Sequence, residues 1–153
     1  MEHKFIFVNA GSSNQGKSDS IRRLYKILER QADHVERLIE EEYDVCAILW
    51  INGVRIGIES QGDPPYYRSL DSLEKFKDYG CDVIICAARS YGYTYDAPFA
   101  LEESGYICCL LTNGKSNKQE LQKLMNQMWA ENVANLINKI IDGENPIEES
   151  LSE

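Results

Sequence analysis

The residues from Gly11 to Ser18 have the types and the spacing of a phosphate-binding loop. The segment reads GSSNQGKS, which fits the pattern G-x-x-x-x-G-K-[ST]. In such a loop the backbone N–H groups surround phosphate oxygens, and glycine lets the backbone come close because it has no Cβ. Lysine supplies a positive charge, and serine supplies a hydroxyl oxygen that can coordinate magnesium. The pattern therefore predicts a site for a phosphorylated ligand.

The elements predicted around this segment are those that position such a loop. The stretch from Lys4 to Asn9 contains a short apolar run of β-formers and predicts a buried strand. After Ser18 the apolar residues, beginning with Ile21 and Leu24, return at helical spacing and predict a helix. The loop would then lie at the amino end of that helix, where the helix dipole favours anions. This context favours a phosphate loop over an ordinary turn in which Ser18 caps the helix.

Residues 4–28 resemble the Walker A segment of the P-loop NTPases. The resemblance implies a three-layer α/β/α P-loop NTPase sandwich that binds ATP or GTP together with Mg²⁺. It implies that Lys17 contacts the β- and γ-phosphates and that Ser18 coordinates Mg²⁺. The predicted nucleotide-binding residues of this segment are Gly11, Ser12, Ser13, Asn14, Gln15, Gly16, Lys17, Ser18 and Asp19.

A carboxylate that holds Mg²⁺ or the attacking water is predicted at the end of another strand. In VRIGIESQGD, Glu59 ends a predicted strand, Gly62 follows at the spacing of the GTPase D-x-x-G motif, and Asp63 comes next. The order of elements up to this point is similar to the first half of a small GTPase domain, with Glu in place of Asp. The similarity implies Glu59 as a metal ligand, Glu59 or Asp63 as the residue that orients water, and Gly62 as a γ-phosphate contact. The stretch SQGDPP is also typical of an ordinary turn, so both interpretations stay open.

Two later segments bear on the phosphates and on the base. Arg89 follows the predicted strand Val83–Ala88 at the edge where ligands bind in open α/β sheets, and it contacts either phosphate or a surface acid. Small GTPases read guanine with N-K-x-D after a later strand. Here YICCLL leads into TNGKSN, in which Asn113 and Lys115 are present and the aspartate is missing. The base is therefore left open between adenine and guanine, and Thr112 and Asn113 line either a base pocket or a plain turn.

The whole chain predicts one α/β domain with a mainly parallel sheet and one antiparallel hairpin. Residues 1–142 form the predicted nucleotide-binding domain, and residues 143–153 form an acidic, mobile tail. The hairpin is predicted around Asn52-Gly53, and DHVERLIEEEYD (33–44) predicts a short helix. The other expected elements are a helix at 66–80, a strand at 83–88, a tyrosine-rich loop at 89–98, a strand at 106–111 and a long helix at 118–141 with a core-facing apolar stripe.

Composition narrows the class of protein. The chain has 153 residues, a formal net charge of −9 and a pI near 4.8, which disfavours nucleic acid and anionic lipid unless a local basic patch exists. Its five cysteines lack the spacing of a disulfide framework or a metal site, so we expect buried thiols in a reduced cytoplasmic protein. No apolar run is long enough to predict a membrane helix.

Three functions fit these observations. The first is Mg²⁺-dependent NTP hydrolysis by a switch or regulatory NTPase, with Lys17, Glu59, Asp63 and Arg89 as the catalytic residues. The second is a small-molecule or nucleotide kinase, in which Asp63, Arg68 or Arg89 holds the acceptor. The third is a non-catalytic nucleotide-binding subunit whose long C-terminal helix docks a protein partner. Sparse arginines and the antiparallel hairpin favour the first function over the second.

Overall fold

The computed structural model describes residues 3–11, 16–39, 43–61, 66–90 and 92–143. These residues form an α/β domain with six strands and four α-helices. In chain order the elements are β1 (Lys4–Ala10), α1 (Lys17–Glu29), β2 (His34–Arg37), β3 (Cys46–Ile51), β4 (Val54–Glu59), α2 (Tyr66–Asp78), β5 (Val83–Ala88), α3 (Tyr93–Ala100), β6 (Tyr106–Leu110) and α4 (Gln119–Ile141). A short 3-10 turn, Leu101–Ser104, follows α3.

The six strands form one sheet in the order β2-β3-β4-β5-β1-β6. Strands β4, β5, β1 and β6 run parallel, whereas β3 is antiparallel to both of its neighbours. Val8 in β1 lies between Cys86 of β5 and Leu110 of β6, which sets the register of the parallel part. The expected mainly parallel sheet is therefore confirmed, and the strand that precedes the glycine-rich loop lies inside it.

Alternate residues of the inner strands contribute to two hydrophobic clusters on the two faces of the sheet. Phe7 of β1 packs in one cluster with α1 and α4, which contribute Leu24 and Ile137. Val8 packs in the other cluster with Phe76 of α2. Because both faces are covered, the inner strands read as continuous apolar runs in the sequence.

The hairpin between β3 and β4 has the turn that its sequence predicts. Asn52 and Gly53 both have positive φ, at 49° and 81°. Positive φ at both central residues defines a type I′ turn, whose twist matches that of the flanking strands. The turn sets the register in which Cys46 lies opposite Glu59, and it thereby brings the start of β3 to the edge where β4 ends.

The helix predicted for residues 33–44 is wrong, because this segment contains the strand β2. Val35 lies opposite Leu49 of β3, and the rings of His34 and Trp50 are 5.0 Å apart. Without β2, the N–H and C=O groups along one side of β3 would lack partners in the sheet. Pairing with β3 therefore outweighs the helical spacing of a short, polar segment. Residues 40–42 lie outside the described part.

Two surface helices also differ from expectation. α3 begins at Tyr93, inside the predicted tyrosine-rich loop. On α4 the apolar stripe divides between two faces of the helix. Trp129 is buried, together with stripe residues nearer the carboxyl end of the helix. Leu121, Leu124 and Met128 are about half exposed. The expectation that the whole stripe packs in the core is therefore wrong for these three residues.

All five cysteines are free thiols, and Cys46, Cys81 and Cys86 are buried as expected. Cys108 and Cys109 are only partly buried, which differs from the expectation. Burial raises the pKa of Cys81 to about 12, so this thiol stays protonated at neutral pH. In the described part of the chain, no helix combines the length and the apolar character needed to cross a membrane.

Gly57→Ala is expected to lower the free energy of unfolding by about 1–3 kcal/mol, the usual range for overpacking a core. A Cβ at this position in β4 would lie 2.5 Å from Cγ of Phe76, which is fully buried on α2. Urea denaturation measures the change. The double variant Gly57→Ala/Phe76→Leu should show a smaller loss than the sum of the two single variants. A Gly57→Ala protein as stable as the parent would contradict the close packing of α2 on β4.

Candidate functional site

Four parallel strands end at one edge of the sheet, which we call the carboxyl edge. Gly11 follows β1, Ser60 follows β4 and Arg89 follows β5. The segment after β6 reaches the same edge and carries Asn113. Because parallel strands bring their carboxyl ends together, the predicted loop, the predicted carboxylate Glu59 and Arg89 share this edge, which is where ligands bind in open α/β sheets.

Gly11 and Gly16 bound the loop, whose residues Ser12, Ser13, Asn14 and Gln15 lie outside the described residues. The Gly11 N–H donates to Ala88 O at 3.0 Å, which holds the start of the loop against the end of β5. Gly16 caps α1 in the left-handed conformation, with φ of 77°. A Cβ on Gly16 would lie 2.5 Å from Oδ1 of Asn126. Both the backbone conformation and this close approach of α4 therefore require glycine.

Lys17 is the first residue of α1 and is almost completely buried, with 3% of its surface exposed. Its ammonium group donates to Gly11 O at 2.8 Å and to Ala88 O at 2.9 Å. These hydrogen bonds place Nζ between the ends of β1 and β5. The position puts a positive charge at the amino end of α1, where the helix dipole has the same sign.

Ser18 connects the amino end of α1 to the end of β4. Its hydroxyl donates to Ser60 O at 2.8 Å. Ser60 is buried, and its own hydroxyl accepts from Val45 N at 2.8 Å and donates to Asp44 Oδ1 at 3.3 Å. Ser60 follows β4, and its partners Asp44 and Val45 precede β3. Ser60 therefore connects α1 to both of these strands. The sequence pattern did not identify Ser60 or Asp44.

Glu59 lies at the carboxyl edge and is buried, with 1% of its surface exposed. Oε1 accepts a hydrogen bond from Gln61 N at 2.9 Å, and Oε2 accepts one from the Ser72 hydroxyl of α2 at 2.7 Å. Burial and, next in size, the charge of Glu59 raise the pKa of Cys86. Strand β5 lies between Glu59 and the loop strand β1. The carboxylate at the end of β4 is therefore held by α2, and β5 separates its strand from β1.

A chain of amide side chains joins β1 to α4 and α1. Asn9 donates to Asn113 Oδ1 at 2.8 Å, and Asn113 donates to Asn126 Oδ1 at 2.9 Å. Asn126 then donates to Asp19 Oδ2 at 2.9 Å. All three asparagines are buried. A signal for this network exists in the sequence, because Asn9 and Asn126 are polar residues at positions where the strand and the helix bury apolar ones.

Asp19 is the charged member of this network. Burial opposes ionisation of its carboxyl group, but hydrogen bonds from Arg23 and Asn126 and the charges of Arg23 and Arg22 hold its pKa below the ordinary value of 3.8. The ionised form is therefore favoured in the folded state. Its contribution to stability is present above pH 3.8 and is lost as the pH falls through the lowered pKa.

The remaining predicted residues divide into two groups. Arg89 is partly buried directly after Ala88, whose carbonyl oxygen holds both Gly11 and Lys17. It therefore lies at the carboxyl edge, and its predicted contact with phosphate stays a prediction. Gly62 and Asp63, predicted to act on the γ-phosphate and on water, lie outside the described residues.

The oxygen donors near the loop suit a hard cation. Ser18 offers a hydroxyl, and Glu59 and Asp44 offer carboxylates, which are the ligand types that Mg²⁺ accepts. Among the described residues, no group of three or more His, Cys, Asp or Glu side chains could hold a metal. A magnesium ion that binds with phosphate takes only one or two protein ligands and fills its other positions with phosphate and water. The donor set therefore fits a metal that arrives with a phosphorylated ligand.

Asn126→Leu is expected to destabilise the protein by about 0.5–1.5 kcal/mol for each hydrogen bond that it removes. The change removes one acceptor of Asn113, which keeps Gly114 O, and one donor to Asp19, which keeps Arg23. Leucine has a similar side-chain volume. Urea denaturation measures the loss, and Asn135→Leu, at an exposed position of the same helix, is the control. Equal stability of the two variants would show that the network contributes nothing.

Comparison with known proteins gives no further guide to this site. The chain matches no protein-family model, no curated protein and no solved structure.

Proposed function

We propose that this protein is a P-loop nucleoside triphosphate-binding protein with a three-layer α/β/α arrangement, and that it hydrolyses ATP or GTP in the presence of Mg²⁺ as a switch or regulatory NTPase. The observation that carries the proposal is the position of Lys17. Its ammonium group is held by Gly11 O and Ala88 O at the amino end of a helix. A buried cation combined with a helix dipole at the carboxyl edge favours a polyphosphate ligand.

The phosphate end of the ligand would lie against the loop and the first turn of α1. Backbone N–H groups at the start of α1 lack intrahelical partners and can donate to phosphate oxygens. Lys17 would contribute its charge, and Arg89, next to the loop, would bind an outer phosphate oxygen. Gly16 supports this role because its missing Cβ leaves room between the loop and Asn126.

Mg²⁺, when bound with the nucleotide, would neutralise negative charge on the phosphates, and Ser18 with Glu59 or Asp44 would hold it. The Ser18 hydroxyl now donates to Ser60 O, so it would exchange this acceptor for the metal. Glu59 is fixed by Ser72 and Gln61, which suits a carboxylate that orients a water molecule. Asp63 is the second candidate for the same role.

The Ser60 contacts favour a switch over a kinase. Ser60 bonds to Ser18 on one side and to Asp44 and Val45 on the other. A change at Ser18 on nucleotide binding would therefore reach the segment before β3 through two hydrogen bonds. In the kinase alternative, Asp63, Arg68 or Arg89 would hold the acceptor, and no contact in the described residues specifically supports that arrangement.

The exposed apolar face of α4 supports the alternative of a non-catalytic subunit. Leu121, Leu124 and Met128 lie on this face and are 48%, 56% and 51% exposed. In that alternative the protein binds the nucleotide without cleaving it, and α4 docks a protein partner.

Lys17→Ala is expected to abolish stabilisation by nucleotide. For the parent protein, nucleotide with Mg²⁺ at 100 times the dissociation constant adds about 2.7 kcal/mol, which corresponds to a rise in Tm of roughly 5–10 °C for a chain of this size. A thermal-shift series with ATP, GTP, ADP and GDP measures this, and phosphate release measures hydrolysis. The control is Lys75→Ala, at an exposed position on α2.

The outcomes separate the three functions. Slow phosphate release supports the switch, transfer to an added acceptor supports the kinase, and binding without either supports the subunit. Circular dichroism without nucleotide must show that the Lys17→Ala protein is folded. A folded Lys17→Ala protein that keeps the full nucleotide shift, or a parent protein without any shift, would refute the proposal.

A further inference from the structure

Three cations form a line along the solvent face of α1. Arg22, Lys26 and Arg30 are spaced four residues apart, so they lie above one another on the helix over a length of about 12 Å. They line an open cleft of about 530 Å³, which we call the α1 cleft. A chain with a net charge of −9 thus carries a local basic patch.

Among the described residues that line the cleft, the cations outnumber the acids. Among the described residues that line it, Asp19 is the only acid. Asp19 bonds to Arg23 at 2.8 Å, whereas Arg22 is 3.9 Å from it, too far for a hydrogen bond. Lys26 and Arg30 have no ion-pair partner in the part of the chain that the structure describes. Like charges four residues apart destabilise a helix, and an anion between them would remove this cost.

The other lining residues offer contacts for a flat ring. Tyr43 lines the cleft and is 77% exposed, an unusual state for a large aromatic side chain. Ile27 adds apolar surface, and Gln127 contributes an amide group. An exposed tyrosine ring can stack on a planar ligand while its hydroxyl stays in water. The cleft therefore combines an anion-binding side with a ring-binding side.

The cleft and Lys17 lie on different sides of α1. Lys17 is held between the ends of β1 and β5, on the buried side of the helix. Arg22 comes five residues later, which places it about 140° around the helix from Lys17. The two groups do not face the same phosphate, although Asp19 lines the cleft and also accepts a hydrogen bond from Asn126.

We propose that the α1 cleft is a second binding site, which takes a small phosphorylated ring compound of the nucleoside monophosphate type. Its phosphate would bind Arg22, Lys26 and Arg30 through charge-assisted hydrogen bonds, and its ring would stack on Tyr43. The volume falls within the range of small-ligand sites, and the cationic wall excludes an apolar ligand. A long polyanion fits less well, because the cationic line is short and the acidic remainder of the protein repels it.

The test uses the Lys17→Ala protein, so that the loop site does not contribute, and measures binding of AMP, GMP and inorganic phosphate by equilibrium dialysis. A nucleoside monophosphate should bind this protein more tightly than phosphate does. Adding Arg22→Gln and Arg30→Gln should weaken its binding about tenfold or more, as expected for lost charge-assisted contacts. Tyr43→Ala should weaken nucleotide binding and leave phosphate binding unchanged, whereas Tyr43→Phe should preserve both. Lys75→Glu on α2 is the surface-charge control.

Each contrary result would show which part of the proposal is wrong. Binding that disappears with Lys17→Ala alone would place the ligand in the loop. Binding that survives Arg22→Gln/Arg30→Gln, or that Tyr43→Ala leaves unaltered, would refute the cleft or the stacked ring. Tighter binding of a single-stranded oligonucleotide than of AMP would make the cleft a nucleic-acid surface and overturn the proposed ligand class. Absence of all binding in a protein that is folded by circular dichroism would overturn the site itself.

Discussion

The ammonium group of Lys17 lies inside the domain where β1 and β5 end and α1 begins. Burying a charged group costs free energy unless polar groups compensate it, and here Gly11 O and Ala88 O accept hydrogen bonds from it. Gly11 follows β1 and Ala88 ends β5, and the two strands pair in register through Ala10 and Ala88. One side chain therefore ties together the loop, the two central strands and the helix, and it places a positive charge where the proposed phosphates would bind.

Two sets of contacts extend from this point in opposite directions. On one side, Ser18 reaches Ser60, which connects to the residues before β3. On the other side, Asn126 packs against Gly16 and bonds to Asp19 and Asn113, which connects α4 to β1. The amino end of α1 is therefore held by polar contacts with the end of β4 and with α4. Such contacts are costly to break singly, because each leaves a buried group without a partner.

The sequence predicts the parts of this arrangement that depend on neighbours along the chain. The G-x-x-x-x-G-K-S pattern places the loop between β1 and α1, and Asn52-Gly53 predicts the hairpin, because both depend on a few consecutive residues. The asparagine network depends on hydrogen bonds between residues that are far apart in the chain. The partners are separated by 104 positions in one bond and by 107 in another, which local spacing cannot reveal. The same reason explains the wrong prediction at β2. This segment has only weak helical spacing, and it forms a strand because it pairs with β3. The α1 cleft is predictable only in part. The spacing of Arg22 and Arg30 is visible in the sequence, whereas the approach of Tyr43 is not.

We propose that the segment around Lys17 holds the phosphates of a nucleotide. Amide hydrogen exchange of the protein with and without saturating ATP or GTP and Mg²⁺ tests this directly. We expect slower exchange in peptides that contain residues 11–20, with a smaller effect at Ser60, which bonds to Ser18. Unchanged exchange at residues 11–20 with every nucleotide, or protection confined to peptides far from the carboxyl edge, would contradict it.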